Sequence, residues 1–270
     1  MNLTRFIRSL TRQPLKNAAL VLSGGGARGA IHLGVLQAFD DNNIKIDAIS
    51  GTSIGAIVGS LYCAGVSPLE IKDLMKSQIF ASIFHLSWSK RGLLKMTRLK
   101  KTFKKFIPVN DFKSLEIPFY CCVSNLDTGN YEIIESGNLN KAVSASASIP
   151  ILFEAVEING QHYVDGGLFN NLPIEPLQNK YKNIIGVHVN NYKNTKAHNI
   201  RAVAERIFTL VSKQNVEPKL QKCDYLIEPF LNKPYRVLNF SFTDELFEIG
   251  YKEGVKFIEK YSKKSFYRKL

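Results

Sequence analysis

Gly51-Thr52-Ser53-Ile54-Gly55 reads G-x-S-x-G, and it stands where the hydrophobic pattern changes period. Ahead of it, Ile46-Asp47-Ala48-Ile49-Ser50 is short and β-branched, as a buried strand is. Behind it, Ala56-Ile57-Val58-Gly59-Ser60-Leu61-Tyr62 continues as a helix. A serine between glycines at a strand-to-helix turn is the nucleophile-elbow arrangement. The turn is tight, and a β-carbon at either glycine would collide with neighbouring backbone. The serine is lifted out of the sheet at the start of a helix. There the unpaired N–H groups and the helix dipole favour negative charge beside it. Three fixed positions out of five also arise by chance, so the rest of the chain must supply partners for Ser53.

Other segments alternate in type around this unit. Ala18–Leu22 reads as a buried strand that runs into Ser23-Gly24-Gly25-Gly26-Ala27-Arg28-Gly29 and a helix from Ala30 to Asn42. Pro68 fits the first turn of a further helix carrying Ile71, Leu74 and Met75. Strands are expected at Pro118–Ser124, Tyr131–Ile134, Asn183–Asn190 and Tyr225–Pro229, and helices around 200–217 and 244–264. Val156–Ile158 and His162–Val164 bracket Asn159-Gly160, a hairpin signal. Strands alternating with helices predict an α/β layered domain with a mostly parallel sheet.

Composition narrows the class. Hydrophobic residues make up 45% of 270 residues, enough for a large core, and no run of 18 apolar residues crosses a bilayer. The N-terminus carries Arg5, Arg8, Arg12 and Lys16 with no apolar stretch after them, so it is not read as a signal peptide. Cys63, Cys121, Cys122 and Cys223 form no C-x-x-C pair and are expected as buried thiols in a reducing compartment. These features point to a cytoplasmic protein. The formal charge of +13 suits an anionic lipid surface or nucleic acid. Two basic amphipathic segments carry much of it. One is residues 3–16, with Leu3, Phe6, Ile7 and Leu10 on one face. The other is residues 85–110, with Met96, Leu99, Phe103, Phe106 and Ile107 on one face and lysines opposite. Each reads either as a membrane-surface helix or as a helix covering the protein's own core.

The glycine turn at 24–29 matches G-x-G-x-x-G, but no ribose-binding acid stands at a strand end about 20 residues on. No Gly-Lys-Ser/Thr follows, so it is not a P-loop. Beside a nucleophile elbow, consecutive glycines expose backbone N–H groups to an oxyanion instead. A base for Ser53 is harder to find among His32, His85, His162, His188 and His198, none of which sits in a triad motif. Asp165 in Val164-Asp165-Gly166-Gly167-Leu168 ends the predicted hairpin with glycines around it, although a lone D-G-G also reads as a plain turn.

Taken together, Gly24-Gly25-Gly26-Ala27-Arg28-Gly29, Gly51-Thr52-Ser53-Ile54-Gly55, Ala145-Ser146-Ala147-Ser148-Ile149-Pro150 and Asp165-Gly166-Gly167 occur in that order. This set resembles the blocks of the patatin-like phospholipase family, with Asn171 and Pro173 also fitting. The resemblance covers about residues 18–190 and is closest to short, single-domain bacterial members. It implies a three-layer α/β/α fold with a mostly parallel central sheet. It also implies a Ser–Asp dyad in which Ser53 is the nucleophile and Asp165 the proton acceptor. The oxyanion hole would draw on Gly24, Gly25, Gly26, Ala27 and Arg28, with the N–H of Ile54 as a further donor. Gly29, Gly51, Gly55, Gly166 and Gly167 would support the motifs. A carboxylate dyad requires no metal, and no cofactor is expected.

The implied organisation is a basic amphipathic segment at 1–17, a catalytic core at 18–190, and a strand and helices at 191–270 that complete the same domain. The implied function is a serine acyl hydrolase, of phospholipase A, lysophospholipase or lipid-esterase type, that acts through an acyl-enzyme. Its partners would be a lipid ester and an anionic membrane surface it meets peripherally, rather than nucleic acid. Alternatives are an acyltransferase using the same dyad, or an inactive basic protein that binds membrane or nucleic acid.

Overall fold

The computed structural model describes residues 16–77, 80, 103–191, 200–233 and 235–262. Elements are numbered among these. In chain order they are β1 (Asn17–Leu22), α1 (Ala30–Asp41), β2 (Lys45–Thr52), α2 (Ile54–Cys63) and α3 (Pro68–Lys76). Then come β3 (Phe119–Asn125), β4 (Asn130–Ile134), α4 (Leu139–Ser146), β5 (Val156–Ile158) and β6 (Gln161–Asp165). Last are β7 (Ile184–Val187), α5 (Ile200–Leu220), β8 (Tyr225–Ile227) and α6 (Thr243–Ser262). The amphipathic segment at 3–16 falls outside the described residues but for its last residue.

Eight strands form one sheet. β1 lies between β2 and β7, and β1, β2, β3, β7 and β8 pair with one another in parallel. Ala18 to Leu22 are wholly buried, because helices cover both faces of a parallel sheet. The period-2 alternation is visible in the packing: Ala18, Leu20 and Leu22 join one core, and Ala19 and Val21 the other. The first core includes α1, α2 and α6; the second is closed by the segment around Leu172–Leu177 and by Val216 of α5. The result is a three-layer α/β/α sandwich.

One register brings the distant motifs together. β2 pairs with the first half of β3, with Thr52 opposite Cys122. β4 lies antiparallel along the other edge of β3, from Cys121 to Asn125. β6 pairs antiparallel with Val123, Ser124 and Asn125, where β4 already occupies that other edge, so β6 takes over the edge that β2 leaves. β2 therefore ends against Cys122 and β6 ends against Val123, so the two chain ends meet head to head.

Local chemistry explains most elements. Ser67 and Glu70 form a capping box before α3, with Pro68 at its first position. Asn159 and Gly160 both take positive φ, of 51° and 78°, in the two-residue turn between β5 and β6. The sequence reading has no helix at α4. Its apolar stripe is made of small residues, Leu139, Ala142 and Val143, and its clearest signal is the Asn138 side chain capping the N–H of Lys141 at 2.9 Å. Of the basic segment at 85–110, residues 103–106 are helical, with Phe103 and Ile107 buried and Lys104 and Lys105 exposed. That end covers the core; residues 85–102 lie outside the described residues. All four cysteines are buried free thiols.

The C-terminal helix α6 lies against α1 at glycines. A β-carbon at Gly34 would stand 2.0 Å from the Phe247 carbonyl oxygen, and one at Gly250 would stand 2.1 Å from that of Ile31. Overpacking such a contact costs about 1–3 kcal/mol. Gly250→Val is therefore expected to lower the unfolding free energy by that amount or more in urea titration followed by circular dichroism. Gly129→Ala, where a β-carbon meets nothing within 4 Å, is the control for glycine loss itself, with the strain of its φ of 72° included.

Candidate active site

Ser53 caps the N-terminus of α2 with φ 57° and ψ −123°, a conformation L-residues seldom adopt. Two contacts leave room for no β-carbon beside it. One at Gly51 would lie 2.4 Å from the Gly55 carbonyl oxygen, and one at Gly55 would lie 2.3 Å from that of Leu22. The strained serine is held from below: its N–H donates to Ser146 Oγ at 2.9 Å, and that hydroxyl donates to the Cys122 carbonyl at 2.6 Å. Ser146 belongs to the Ala145–Pro150 block, to which sequence reasoning alone assigns no structural task.

The Ser53 hydroxyl donates to Asp165 Oδ2 at 2.5 Å. Asp165 Oδ1 accepts the Gly167 N–H at 2.8 Å, and the Asp165 N–H donates to the Ser148 carbonyl at 2.9 Å. The carboxyl group is fully buried. Burial pushes its pKa up to about 7, against the opposing pull of the Ser53 and Gly167 hydrogen bonds. This is the range in which a group can both take and return a proton near neutrality.

The glycine loop folds over Ser53. A β-carbon on Gly24 would lie 3.1 Å from the Ser53 β-carbon and 2.3 Å from Asn171 Oδ1. The candidate donors are not equivalent. The Gly24 N–H is directed to Asn171, at 3.1 Å from Oδ1. The Ala27 N–H donates to the Val237 carbonyl at 2.7 Å and the Arg28 N–H to that of Gly25 at 3.3 Å. Gly25, Gly26 and Ile54 make no backbone N–H bond within the described residues, and Gly25 and Gly26 are partly open to the adjoining cavity. Gly26 holds φ 58° with the Val237 carbonyl against its Cα, a place only glycine fills without strain. The Arg28 side chain is buried and donates to the Tyr235 carbonyl at 2.9 Å, which ties the loop to the C-terminal region.

No described histidine hydrogen-bonds to Ser53 or Asp165. His32 is buried against the Ser23 carbonyl at 2.8 Å, and desolvation lowers its pKa to about 4. His162 is exposed beside Asp127. His188 lines the same cavity as Ser53, but its Nδ1 is held 2.6 Å from Glu228 Oε1. His85 and His198 lie outside the described residues. Among the described residues, no three His, Cys, Asp or Glu side chains could together hold a metal.

Helix α5 supplies residues that sequence reasoning left without a role. Asn215 Nδ2 donates to the carbonyls of Gly167 at 3.0 Å and Leu168 at 3.3 Å, and its Oδ1 accepts the Asn171 N–H at 2.8 Å. Ser212 Oγ adds a second bond to the Gly167 carbonyl at 2.8 Å. Asn171 in turn receives the Gly24 N–H, so one amide on α5 joins the Asp165 loop to the glycine loop. Nothing local in Lys213-Gln214-Asn215-Val216 announces this. The same helix walls a cavity of about 310 Å³ that opens from Ser53 past Gly25, Arg206 and Lys213.

The model of one family, Patatin-like phospholipase, matches residues 20–177, more than half of the chain. The chain belongs to the patatin-like phospholipase family. Within curated proteins it is 32% identical over 187 residues to a protein named Lysophospholipase NTE1 from Candida glabrata, covering 67% of this chain and 11% of that one. It is 26% identical over 279 residues to the Lysophospholipase NTE1 of Scheffersomyces stipitis, covering 90% of this chain and 18% of that one. The chain thus spans between about a tenth and a fifth of the length of these relatives. Among solved structures, VipD from Legionella pneumophila superposes with a TM-score of 0.54 at 14% identity, covering 92% of this chain and 67% of that one. ExoU of Pseudomonas aeruginosa, in complex with SpcU, gives 0.52 at 14% identity, covering 93% and 53%. These likenesses show a shared fold.

Asn215 lies beyond the residues matched by the family model, yet it fixes both loops of the patatin-like site. Truncating it leaves the Leu168 carbonyl and the Asn171 N–H without partners and the Gly167 carbonyl with Ser212 alone, a loss of about 1–3 kcal/mol. Asn215→Ala is expected to slow labelling of Ser53 by a fluorophosphonate by roughly tenfold or more, with the far-ultraviolet circular dichroism unchanged.

Proposed function

We propose that this chain is a serine acyl hydrolase acting on lipid carboxylic esters through a Ser53–Asp165 dyad. The single observation that carries this reading is the direct Ser53–Asp165 hydrogen bond to a carboxylate raised by burial to a pKa of about 7. An ordinary aspartate is a weak base toward a serine hydroxyl. Desolvation makes Asp165 a stronger one, with no histidine between the two groups.

Ser53 Oγ attacks the ester carbonyl carbon as its proton passes to Asp165 Oδ2. The C=O electron pair moves onto the carbonyl oxygen, which the N–H groups of Gly25, Gly26 and Ile54 are free to receive. The tetrahedral intermediate collapses; the alcohol leaves with the proton from Asp165, and Ser53 carries the acyl group. Water then adds to the acyl-enzyme while Asp165 takes its proton, and the acid is released as Ser53 recovers its hydrogen. Preorganised backbone donors of this kind each contribute about 3–4 kcal/mol to lowering the barrier. Acyl transfer would follow the same path with an alcohol in place of water; product analysis with added lysolipid acceptors separates the two. The described residues contain no helix long and apolar enough to cross a membrane, so contact with a lipid substrate falls to surfaces and cavities.

Ser53→Ala and Asp165→Asn are each expected to abolish turnover of a short p-nitrophenyl ester in folded protein. Turnover at the wild-type rate in either variant would reject the dyad. His188→Gln is expected to keep the rate within about tenfold, the size of a positioning effect rather than loss of a base. The unprotonated carboxylate is the active form, so kcat/KM should rise with pH through about 7.

Stability should run the other way. Folding raises this pKa from 3.8 to about 7, so between those values the folded state holds a proton that the unfolded chain has released. That contribution is fully present below 3.8 and is lost as pH rises through 7. Asp165→Asn, which never ionises, should therefore gain stability relative to wild type on going from pH 5 to pH 8, by a few kcal/mol. Urea midpoints at the two pH values measure it.

A further inference from the structure

Helix α5 is apolar on two sides. Phe208, Ser212 and Asn215 face the protein: Ser212 and Asn215 bond the Gly167 carbonyl, and Phe208 packs on the first core. Five positions before each of them stand Val203, Ile207 and Leu210, displaced by about 140° around the helix. These three are 44%, 55% and 45% exposed. At a spacing of four and three residues they form one row on the outer side. A helix of a water-facing surface carries polar residues there.

The row borders the site. Leu210 lines the Ser53 cavity together with Thr209, Arg206 and Lys213. Lys213 is exposed, and it and Arg206 lie along one edge of the row, with Glu217 the acidic neighbour one turn further on. A second exposed apolar residue follows another cavity-lining position. Ile151 is 68% exposed two residues after Ile149, which lines the cavity, and it holds φ 73°. A β-branched residue in that region is an outlier that surrounding structure must enforce.

We propose that the outer face of α5, Val203, Ile207 and Leu210 with Lys213 beside them, docks on the surface of an anionic phospholipid bilayer. This rests on the lipid-ester reading of Ser53 and adds how the substrate reaches it. A single-chain or two-chain lipid that leaves a bilayer must keep its acyl chains out of water on the way to the serine. An apolar row that ends on the cavity wall provides that continuity, and its cationic edge meets the anionic head groups. The chain's charge of +13 acts in the same direction. Because the inner face of α5 holds the Asp165 and glycine loops, a docked helix also presses the membrane against the element that fixes the site.

The test uses the full chain and sucrose-loaded vesicles of phosphatidylcholine with and without phosphatidylglycerol. Wild type should co-sediment, more strongly with phosphatidylglycerol and less in high salt. The double variant Val203→Ser/Ile207→Ser, at positions outside the cavity, should lose vesicle binding by about tenfold or more. It should still hydrolyse a water-soluble p-nitrophenyl ester within about twofold of wild type. Val203→Leu/Ile207→Leu should bind like wild type. Equal vesicle binding by the serine double variant, or none by wild type, overturns the proposal. So does a change from dimer to monomer in the serine variant on gel filtration, which would assign the row to a second copy of the chain. Absence of soluble-ester turnover in wild type would instead remove the hydrolase reading, and the two failures are read in separate assays.

Discussion

The hydrogen bond between Ser53 and Asp165 depends on how three strands share one edge. β3 has two edges, and β4 occupies one of them from Cys121 to Asn125. On the other, β2 ends opposite Cys122 and β6, running the opposite way, ends opposite Val123. Two residues 112 apart in sequence are thereby brought to the same point of the sheet from opposite directions. A register slip of one residue in either strand would turn the group to the other face. The glycines flanking both residues are the counterpart of this constraint: Gly51, Gly55 and Gly166 each have carbonyl oxygens where a β-carbon would go.

Such a junction has a thermodynamic cost. Asp165 is wholly buried with two hydrogen bonds to its oxygens and no cation in contact, so its charged form is disfavoured. Ser53 is held at positive φ. Both are local sacrifices of stability that the surrounding packing over-determines: Ser146 fixes the Ser53 N–H, Ser148 the Asp165 N–H, and Asn171 and Asn215 the loops above them. The orienting groups are the Ser146 hydroxyl on α4, the Ser148 carbonyl just after it, and the amide side chains of Asn171 and of Asn215 on α5. They keep Ser53 and Asp165 in geometry without adding a charge.

The region after the family-matched residues bears on the same site. α5 walls the cavity and grips both loops, β8 extends the sheet beside β7, and α6 packs on α1 through Gly34 and Gly250. The buried Arg28 reaches across to Tyr235. The glycine loop is thus supported from three separate stretches of chain, at Asn171, Asn190 and Val237.

Much of this was legible in the residues alone. Strand and helix positions followed from period-2 and period-3.6 apolar patterns, and the Asn159-Gly160 hairpin and the Pro68 helix from turn and cap chemistry. The four ordered blocks singled out Ser53 and Asp165 as the candidate pair, and the structure places the two side chains in hydrogen-bond contact. α4 was missed because its apolar stripe is only Leu139, Ala142 and Val143, and the serine, alanine and polar residues around them carry little hydrophobic signal. The sequence could list six oxyanion donors but not rank them. Which N–H groups are used within the protein depends on where Asn171 and Val237 lie, and those contacts span more than 140 residues. Asn215 was invisible for the same reason: its function is to join three carbonyl and amide groups that only folding assembles. Local chemistry is written in short stretches of chain, so the sequence by itself determined most of the elements and the candidate residue types. Desolvation of Asp165, the strain at Ser53 and the path from the surface to the cavity arise from contacts between distant segments, and these the tertiary structure alone decided.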